Sequence, residues 1–274
     1  MITVIWKDPL KQLKGTANYL IANLAISDLL VGIPSELLFG LLHWIPNNNV
    51  TRAAYTAMYL GFNASFLTIL GLAVERLIVI SLPLNSAGYL TSSHLALGIM
   101  SIWLFAGLLA FLPLLGWDSC DSYRVFASDV IIVPILVLLL ACYTRIYILV
   151  RKALYLDIAT PGESLEERQV LTESAREVEK LKRKERSVAY SVFILVGIFA
   201  VCWMPIAVLE NINELCRSCN YKLPILESLG FLHPLLNPIA YSLRTAKFRR
   251  ALWTICRGLY SSNPSNALPR LVIV

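Results

Sequence analysis

Apolar residues occur along this chain in six long runs that are separated by shorter polar segments. The runs are Tyr19–Leu42, Ala53–Leu82, His94–Leu115, Val125–Val150, Val188–Leu209 and Leu223–Leu243. About 20 consecutive apolar residues in a helix cross the hydrocarbon of a bilayer, and each run reaches that length. The alternation of apolar and polar positions that is typical of a membrane β-barrel does not occur in them. The pattern therefore predicts an all-α membrane protein with six complete spans.

Composition supports this prediction. Of the 274 residues, 57% are hydrophobic and 15% are charged, which is too apolar and too poorly charged for an ordinary soluble domain. Residues 1–6 read MITVIW, which is too short to span and resembles the end of a further helix. This segment lacks the basic start and the cleavage site of a signal peptide.

Basic residues cluster beside the predicted helix ends on one side of the membrane. The net charge of +6 is therefore unlike the basic patch of a nucleic-acid-binding protein. Because the excess of Lys and Arg lies on the cytoplasmic side, we expect a multi-pass plasma-membrane protein with a cytoplasmic C-terminus. The set comprises Lys7, Lys11, Lys14, Arg151, Lys152, Lys180, Lys182, Arg183, Lys184, Arg186, Arg244, Lys247, Arg249 and Arg250.

Several polar residues interrupt the apolar spans, and Asp28 in NLAISDLL is the clearest of them. An ionisable group at mid-span costs about 2.5–3.5 kcal/mol on insertion scales, so it marks a candidate functional position. Asn23, Asn63, Ser65 and Asn237 lie at comparable depth. Two interpretations are open at this point: a network of interhelical hydrogen bonds, or a cation bound at Asp28.

Prolines interrupt the last two spans. The sixth span contains HPLLNPIAY, in which Pro234 and Pro238 each remove a backbone donor. The fifth contains FAVCWMP, where Pro205 predicts a kink and Trp203 lies just below it.

The predicted cytoplasmic ends carry paired charges. Glu75 and Arg76 end the second span, with Pro83 and Leu84 after them, and Glu185 begins the fifth span. A Glu185–Arg76 ion pair across two helices would form a two-state latch.

Two further features lie outside the spans. Cys216-Arg-Ser-Cys219 is compatible with a zinc half-site, a redox pair or a loop disulfide, and its predicted position on the outer side of the membrane favours the disulfide. Residues 246–258 predict an interfacial amphipathic helix in which Cys256 is placed for palmitoylation, and residues 259–274 form a short tail.

Taken in order, these motifs resemble the rhodopsin-like (class A) G-protein-coupled receptors. The matching segments are NLAISD with Asp28, the triplet Glu75-Arg76-Leu77, Trp103, Tyr143, CWMP, NPIAY and KFRRAL. The resemblance implies a seven-helix bundle over residues 7–258, with residues 1–6 as the remnant of its first helix. It also implies an N-terminally truncated chain.

The resemblance further implies an activation switch. Asn237 would share a polar network with Asp28, Ser65 and Trp203 around a sodium ion. Tyr241 would swing toward Tyr143, Arg76 would leave Glu185, and a cleft would open for a G protein, which Arg76, Pro83 and Leu84 would contact. The implied switch set is Glu75, Arg76, Glu185, Phe199, Trp203, Pro205, Asn237, Pro238, Tyr241 and Tyr143.

Departures from the family pattern restrict the ligand. Met58 replaces the Asp of amine receptors, no Lys for retinal occurs in the last span, and Glu210 replaces the Asn of adenosine receptors. The chain looks most like the melanocortin, lysophospholipid, cannabinoid and adenosine cluster, which implies a nucleoside, lipid or small-peptide ligand. The implied pocket comprises Tyr55, Met58, Tyr59, Ile206, Glu210, Glu227 and Phe231.

Two alternatives compete with a signalling receptor. One is a six-span transporter or channel subunit, for which the sequence lacks inverted repeats and paired broken helices. The other is a truncated receptor fragment that does not signal. An enzyme is not expected, because the sequence has no hydrolase triad and no phosphate-binding loop, and a cofactor other than sodium is not expected either.

Overall fold

The computed structural model describes residues 2–7, 15–44, 48–82, 86–115, 126, 128–158, 193–194, 196–213, 224–244 and 246–261. Within these ranges the chain forms helices joined by turns, and it contains no strand. The expectation of an all-α protein is therefore confirmed.

Eight helices are used in the description below, numbered in chain order. The first four are α1 (Ile2–Lys7), α2 (Thr16–Leu30, continued by the π-helical turn Val31–Ser35 and by Glu36–Trp44), α3 (Asn48–Ser81) and α4 (Ser92–Phe111, ending in the 3-10 turn Leu112–Leu115). The other four are α5 (the π-helical turn Ser128–Ile132 and Val133–Ile158), α6 (Val196–Asn213), α7 (Pro224–Arg244) and α8 (Ala246–Ser261).

Within the described residues, five helices are long and apolar enough to cross a membrane. They include Thr16–Pro34, Asn48–Ser81, Ser92–Leu115, Asp129–Leu149 and Val196–Asn213. The sixth predicted run forms α7, which has 21 residues but is not among the five. Its polar residues and its two internal prolines lower its hydropathy, so composition alone identifies it less clearly than its neighbours.

The long helix α3 lies at the centre of the packing. It contacts α2, α4 and α5, while α7 packs against α2 and α8. The short helix α1 contacts both α2 and α8. Large apolar side chains of α4 point outward instead of into the bundle, for example Leu97, Met100, Leu104 and Leu108. Such a face is stable in contact with lipid tails and not with water.

A chain of three hydrogen bonds joins α2, α3 and α4. The Trp103 indole Nε1 donates to Asn23 Oδ1 at 2.8 Å, and Asn23 Nδ2 donates to Thr68 Oγ1 at 2.8 Å. Thr68 Oγ1 in turn donates to the carbonyl of Ala64 at 2.6 Å. Polar side chains in a membrane bundle bond across helices in this way, because lipid offers them no partner.

Helices α2 and α3 approach each other closely at Gly61. A Cβ atom built on Gly61 would lie 2.5 Å from Val31 Cγ2, 3.0 Å from Val31 N and 3.1 Å from the carbonyl oxygen of Ser27. Small residues allow helix backbones to approach in a membrane, where dispersion contacts provide much of the association energy. Gly61 therefore fixes the spacing of the two helices beside Asp28.

We expect Gly61→Val to lower the Tm of the detergent-solubilised chain, because any side chain there separates α3 from the α2 backbone. Overpacking of this kind costs about 1–3 kcal/mol. The matched control is Gly107→Val on α4, where an added Cβ meets nothing within 4 Å. Equal melting curves for the two variants would contradict the close approach.

Candidate functional site

Asp28 lies at the meeting point of α2, α3 and α7. Its side chain is buried, and Ser65 Oγ donates to its Oδ1 at 3.0 Å. Asn237 Nδ2 donates to both carboxylate oxygens, at 3.3 Å to Oδ1 and 3.1 Å to Oδ2. The structure thus brings together three residues that the sequence placed in one polar network.

These residues have the chemistry of a cation site. Among the residues that the structure describes, Asp28 takes part in no salt bridge. The Oδ1 atom of Asn237 is buried and has no hydrogen-bond partner among the described residues. A carboxylate, a hydroxyl and an amide oxygen are ligands that hard cations prefer. The donor set therefore fits the sodium ion that the sequence led us to expect.

An aromatic cluster adjoins this polar set. The Trp203 ring meets Phe62 and Phe66 edge-on, with 4.7 Å between ring centroids in each case. Phe66 also meets Phe199 at 4.9 Å. Edge-to-face packing is a favoured arrangement of aromatic rings. Because Nε1 of Trp203 has no hydrogen-bond partner in the described residues, packing and not hydrogen bonding holds this residue beside Asp28's network.

His233 connects the aromatic cluster to the polar set, and sequence reasoning did not assign it to the site. Its fully buried ring lies 5.7 Å from Phe199 and 6.1 Å from Phe66, centroid to centroid. Its Nε2 lies 3.4 Å from Asn237 Nδ2. The four-residue spacing of His233 and Asn237 places both on one helix face, and this spacing was the available signal.

A buried ion pair lies near the C-terminal end of α3. Arg76 Nη2 donates to Glu75 Oε1 at 2.6 Å, and Arg76 Nε also bonds to Glu75 Oε2. Thr16 Oγ1 on α2 donates to Glu75 Oε1 at 2.5 Å. Thr16 was missed by sequence reasoning, because a Thr in the first turn of a helix is an ordinary residue. The predicted partner Glu185 lies outside the described residues, as do Pro83 and Leu84.

The structure describes some of the remaining switch residues. Tyr143 is buried on α5, where its ring lies 5.7 Å from that of Phe193. Pro205 lies in α6 and Pro238 in α7. Tyr241 also belongs to α7, but its side chain is outside the described set. The proposed approach of Tyr241 to Tyr143 therefore stays a prediction.

Several residues of the predicted ligand pocket are aromatic. Tyr55 and Tyr59 stack on α3 with centroids 6.2 Å apart, and Phe231 on α7 lies 5.8 Å from Phe62. Met58, Ile206 and Glu210 are half-buried, and the side chain of Glu227 is outside the described set. At the same end, Asn211 Nδ2 of α6 donates to Asp129 Oδ1 of α5 at 2.8 Å, a contact that the sequence did not suggest.

The predicted amphipathic helix is present as α8 and extends to Ser261. Phe248 and Ala251 are buried against the bundle, whereas Trp253 is exposed with the Arg257 guanidinium 4.9 Å from its ring centroid. Cys256 is an exposed free cysteine, and its acylation stays a prediction. Cys216 and Cys219 lie outside the described residues, so their pairing stays a prediction.

The comparison with protein families agrees with this geometry. A family model described as "7 transmembrane receptor (rhodopsin family)" matches residues 1–241. The chain belongs to the rhodopsin family of seven-transmembrane receptors. It is accordingly a multi-pass membrane protein with the seven-helix bundle fold, and the receptor resemblance seen in the sequence is confirmed. The match decides against a transporter or channel subunit, and the family's members are receptors and not enzymes.

Individual relatives include receptors with different ligands. Sphingosine 1-phosphate receptor 1 of Danio rerio is 28% identical over 295 aligned positions, covering 100% of this chain and 77% of the relative. Sphingosine 1-phosphate receptor 3 of Takifugu rubripes is 30% identical, with 97% and 68% covered. Adenosine receptor A2a of Canis lupus familiaris is 25% identical, with 90% and 65% covered, so the chain spans slightly less than two thirds of that relative.

We expect Thr16→Val to lower the free energy of unfolding, because it removes a hydrogen bond to a buried carboxylate. Hydrogen bonds to charged groups contribute about 1.5–3 kcal/mol. The readout is the Tm of the purified chain. Thr56→Val is the matched control, because its hydroxyl bonds to the Arg52 carbonyl within α3. A Thr16→Val variant as stable as the control would contradict this role.

Proposed function

We propose that this chain is a G-protein-coupled receptor of the plasma membrane that transmits the binding of an extracellular ligand to a heterotrimeric G protein. The observation that carries the proposal is the buried Glu75–Arg76 pair at one end of α3, while the aromatic pocket residues lie toward its other end. Between them, Ser65 of the same helix bonds to Asp28. One helix would therefore contact the ligand, and the same helix carries Ser65 of the polar network and the Glu75–Arg76 pair.

The contacts suggest how a signal would pass. A ligand that packs on Tyr59, Phe62 and Phe231 would shift Trp203, whose ring touches Phe62 and Phe66. The adjacent His233 lies beside Asn237, so a shift of the cluster changes the position of α7 against Asp28. Arg76 would then exchange Glu75 for a partner on the G protein at the cytoplasmic face. The ligand shifts the equilibrium between the inactive and active receptor only to the extent that it binds one state more tightly than the other.

The pocket supports an apolar or planar ligand. The pocket residues that the resemblance implies include Tyr55, Tyr59, Phe231, Met58 and Ile206, and aromatic rings stack well on planar or aliphatic groups. The named ligands of the relatives are sphingosine 1-phosphate, a lipid, and adenosine, a nucleoside. We therefore propose a nucleoside, a lipid or a small peptide as ligand, and neither retinal nor an aminergic ligand.

Sodium is the proposed structural ion. Asp28, Ser65 and Asn237 would hold it, and when bound it would supply the positive charge that the buried Asp28 carboxylate lacks in the described residues. Neutralisation of the negative charge of Asp28 would stabilise the packing of α2, α3 and α7 around it.

The proposed function predicts opposite effects for the two members of the buried pair. In nanodiscs with purified G protein, Arg76→Ala should reduce basal nucleotide exchange to the receptor-free background, because the G protein loses its arginine contact. Glu75→Gln should raise basal exchange about tenfold, since removal of about 1.4 kcal/mol from the paired state shifts the equilibrium by that factor.

Arg52→Ala, at the opposite end of α3, is the control for charge removal and should leave exchange unchanged. Exchange by Arg76→Ala at the level of the unmodified chain, at equal receptor amounts, would overturn the proposal. Lipids and nucleosides can then be screened on the unmodified chain, with the rate of nucleotide exchange as readout.

The sodium proposal predicts a stability effect that needs no G protein. Sodium chloride should raise the Tm by about 2–4 °C relative to choline chloride at equal ionic strength, because a cation that binds the folded state stabilises it. Asp28→Asn should abolish the difference. Ser27→Ala should preserve it, because the Ser27 hydroxyl bonds to the carbonyl of Leu24 in its own helix. A sodium effect that survives in Asp28→Asn would show that the ion binds elsewhere.

A further inference from the structure

The indole of Trp203 rests directly on the backbone of α7 at Gly230. A Cβ atom built on Gly230 would lie 3.2 Å from Trp203 Cη2, 3.5 Å from Trp203 Cζ2 and 3.3 Å from Ile206 Cδ1. Two of these distances are shorter than ordinary van der Waals contact between carbons. Gly230 itself is buried. A side chain at this position would therefore displace the six-membered ring of the indole or the Cδ1 methyl group of Ile206.

Aromatic rings also pack against the indole. Phe62 and Phe66 approach edge-on from α3 at 4.7 Å, and His233 lies 6.5 Å away on α7. Aromatic rings are rigid and occupy large volumes, so they leave the indole little freedom on those sides. At Gly230 the indole packs against the backbone of α7, because glycine has no side chain. The position of Trp203 relative to α7 is consequently set at this residue.

The backbone of α7 is weakened at the same place. Pro234 lies four residues after Gly230 within the helix, and it has no N–H to donate to the Gly230 carbonyl. Loss of this bond and the bulk of the proline ring favour bending of a helix. The indole therefore packs on a segment of α7 that bends more readily than a regular helix.

We propose that Gly230 is the positioning residue for Trp203, and that their contact couples α6 to the bend in α7. The described packing coincides with a closed Glu75–Arg76 pair and with Asn237 bonded to Asp28. A side chain at Gly230 opposes this packing, so it favours the alternative arrangement of the receptor. The signalling part of this inference rests on the proposed function, whereas the packing part does not.

A double-mutant cycle on the full chain tests the contact. Gly230→Ala should lower the Tm by about 3–6 °C, because overpacking at a buried contact destabilises the fold. The same substitution in a Trp203→Phe background should have little effect, because phenylalanine lacks the indole edge that carries Cη2 and Cζ2. Gly197→Ala on α6 is the control, since an added Cβ there meets nothing within 4 Å.

Basal nucleotide exchange provides a readout that a purely structural role would not move. At equal receptor amounts, Gly230→Ala should raise exchange by about two- to tenfold, and Trp203→Phe should remove that increase. Equal loss of Tm in both backgrounds would overturn the proposal, as would an increase in exchange that persists without the indole. A coupled loss of Tm without exchange on any G protein would support the Gly230–Trp203 contact and overturn the proposed signalling function instead.

Discussion

The arrangement of this bundle depends on one buried carboxylate. Asp28 is withdrawn from water, and an unsatisfied charge there would cost more free energy than most contacts in the protein contribute. Its oxygens accept from Ser65 on α3 and from Asn237 on α7. Apolar contacts in lipid distinguish poorly between neighbouring helices, whereas hydrogen bonds to a carboxylate require particular partners at particular positions. The rotation and depth of three helices are therefore defined around Asp28.

A second constraint follows from the length of α3. This helix carries Phe62 and Phe66 in the aromatic cluster, Ser65 in the polar set and the Glu75–Arg76 pair near its end. A displacement of α3 at the aromatic cluster consequently also moves Ser65 and the Glu75–Arg76 pair, because all of them belong to one rigid helix. The contact of Arg76 is discrete, because its guanidinium bonds either to Glu75 or to another acceptor. Bistable contacts of this kind convert small shifts into two-state behaviour.

The sequence alone was sufficient for the helical class and for placing Asp28, Asn23, Asn63, Ser65 and Asn237 at one depth, whereas the grouping of Asp28 with Ser65 and Asn237 was implied by the receptor resemblance. Depth alone does not decide the partners, because Asn23 lies at a comparable depth and bonds instead to Thr68 and Trp103. Thr16, Gly61 and Gly230 could not be found in this way, because their roles depend on the offset and rotation of neighbouring helices. For Arg76 the sequence suggested Glu185 as partner, and the structure adds a satisfied pair with the adjacent Glu75.

The composition of α7 now has a physical explanation. Its prolines, His233 and Asn237 make it less apolar than the helices that lipid alone would retain in the membrane. Its position is instead determined by specific contacts: Asn237 with Asp28, His233 within the aromatic rings, and Gly230 under the Trp203 indole. A helix that is held by a few directional contacts and lacks two backbone donors moves when those contacts change. The residues that weaken α7 as a membrane span thus suit it to respond to Trp203 and Asp28.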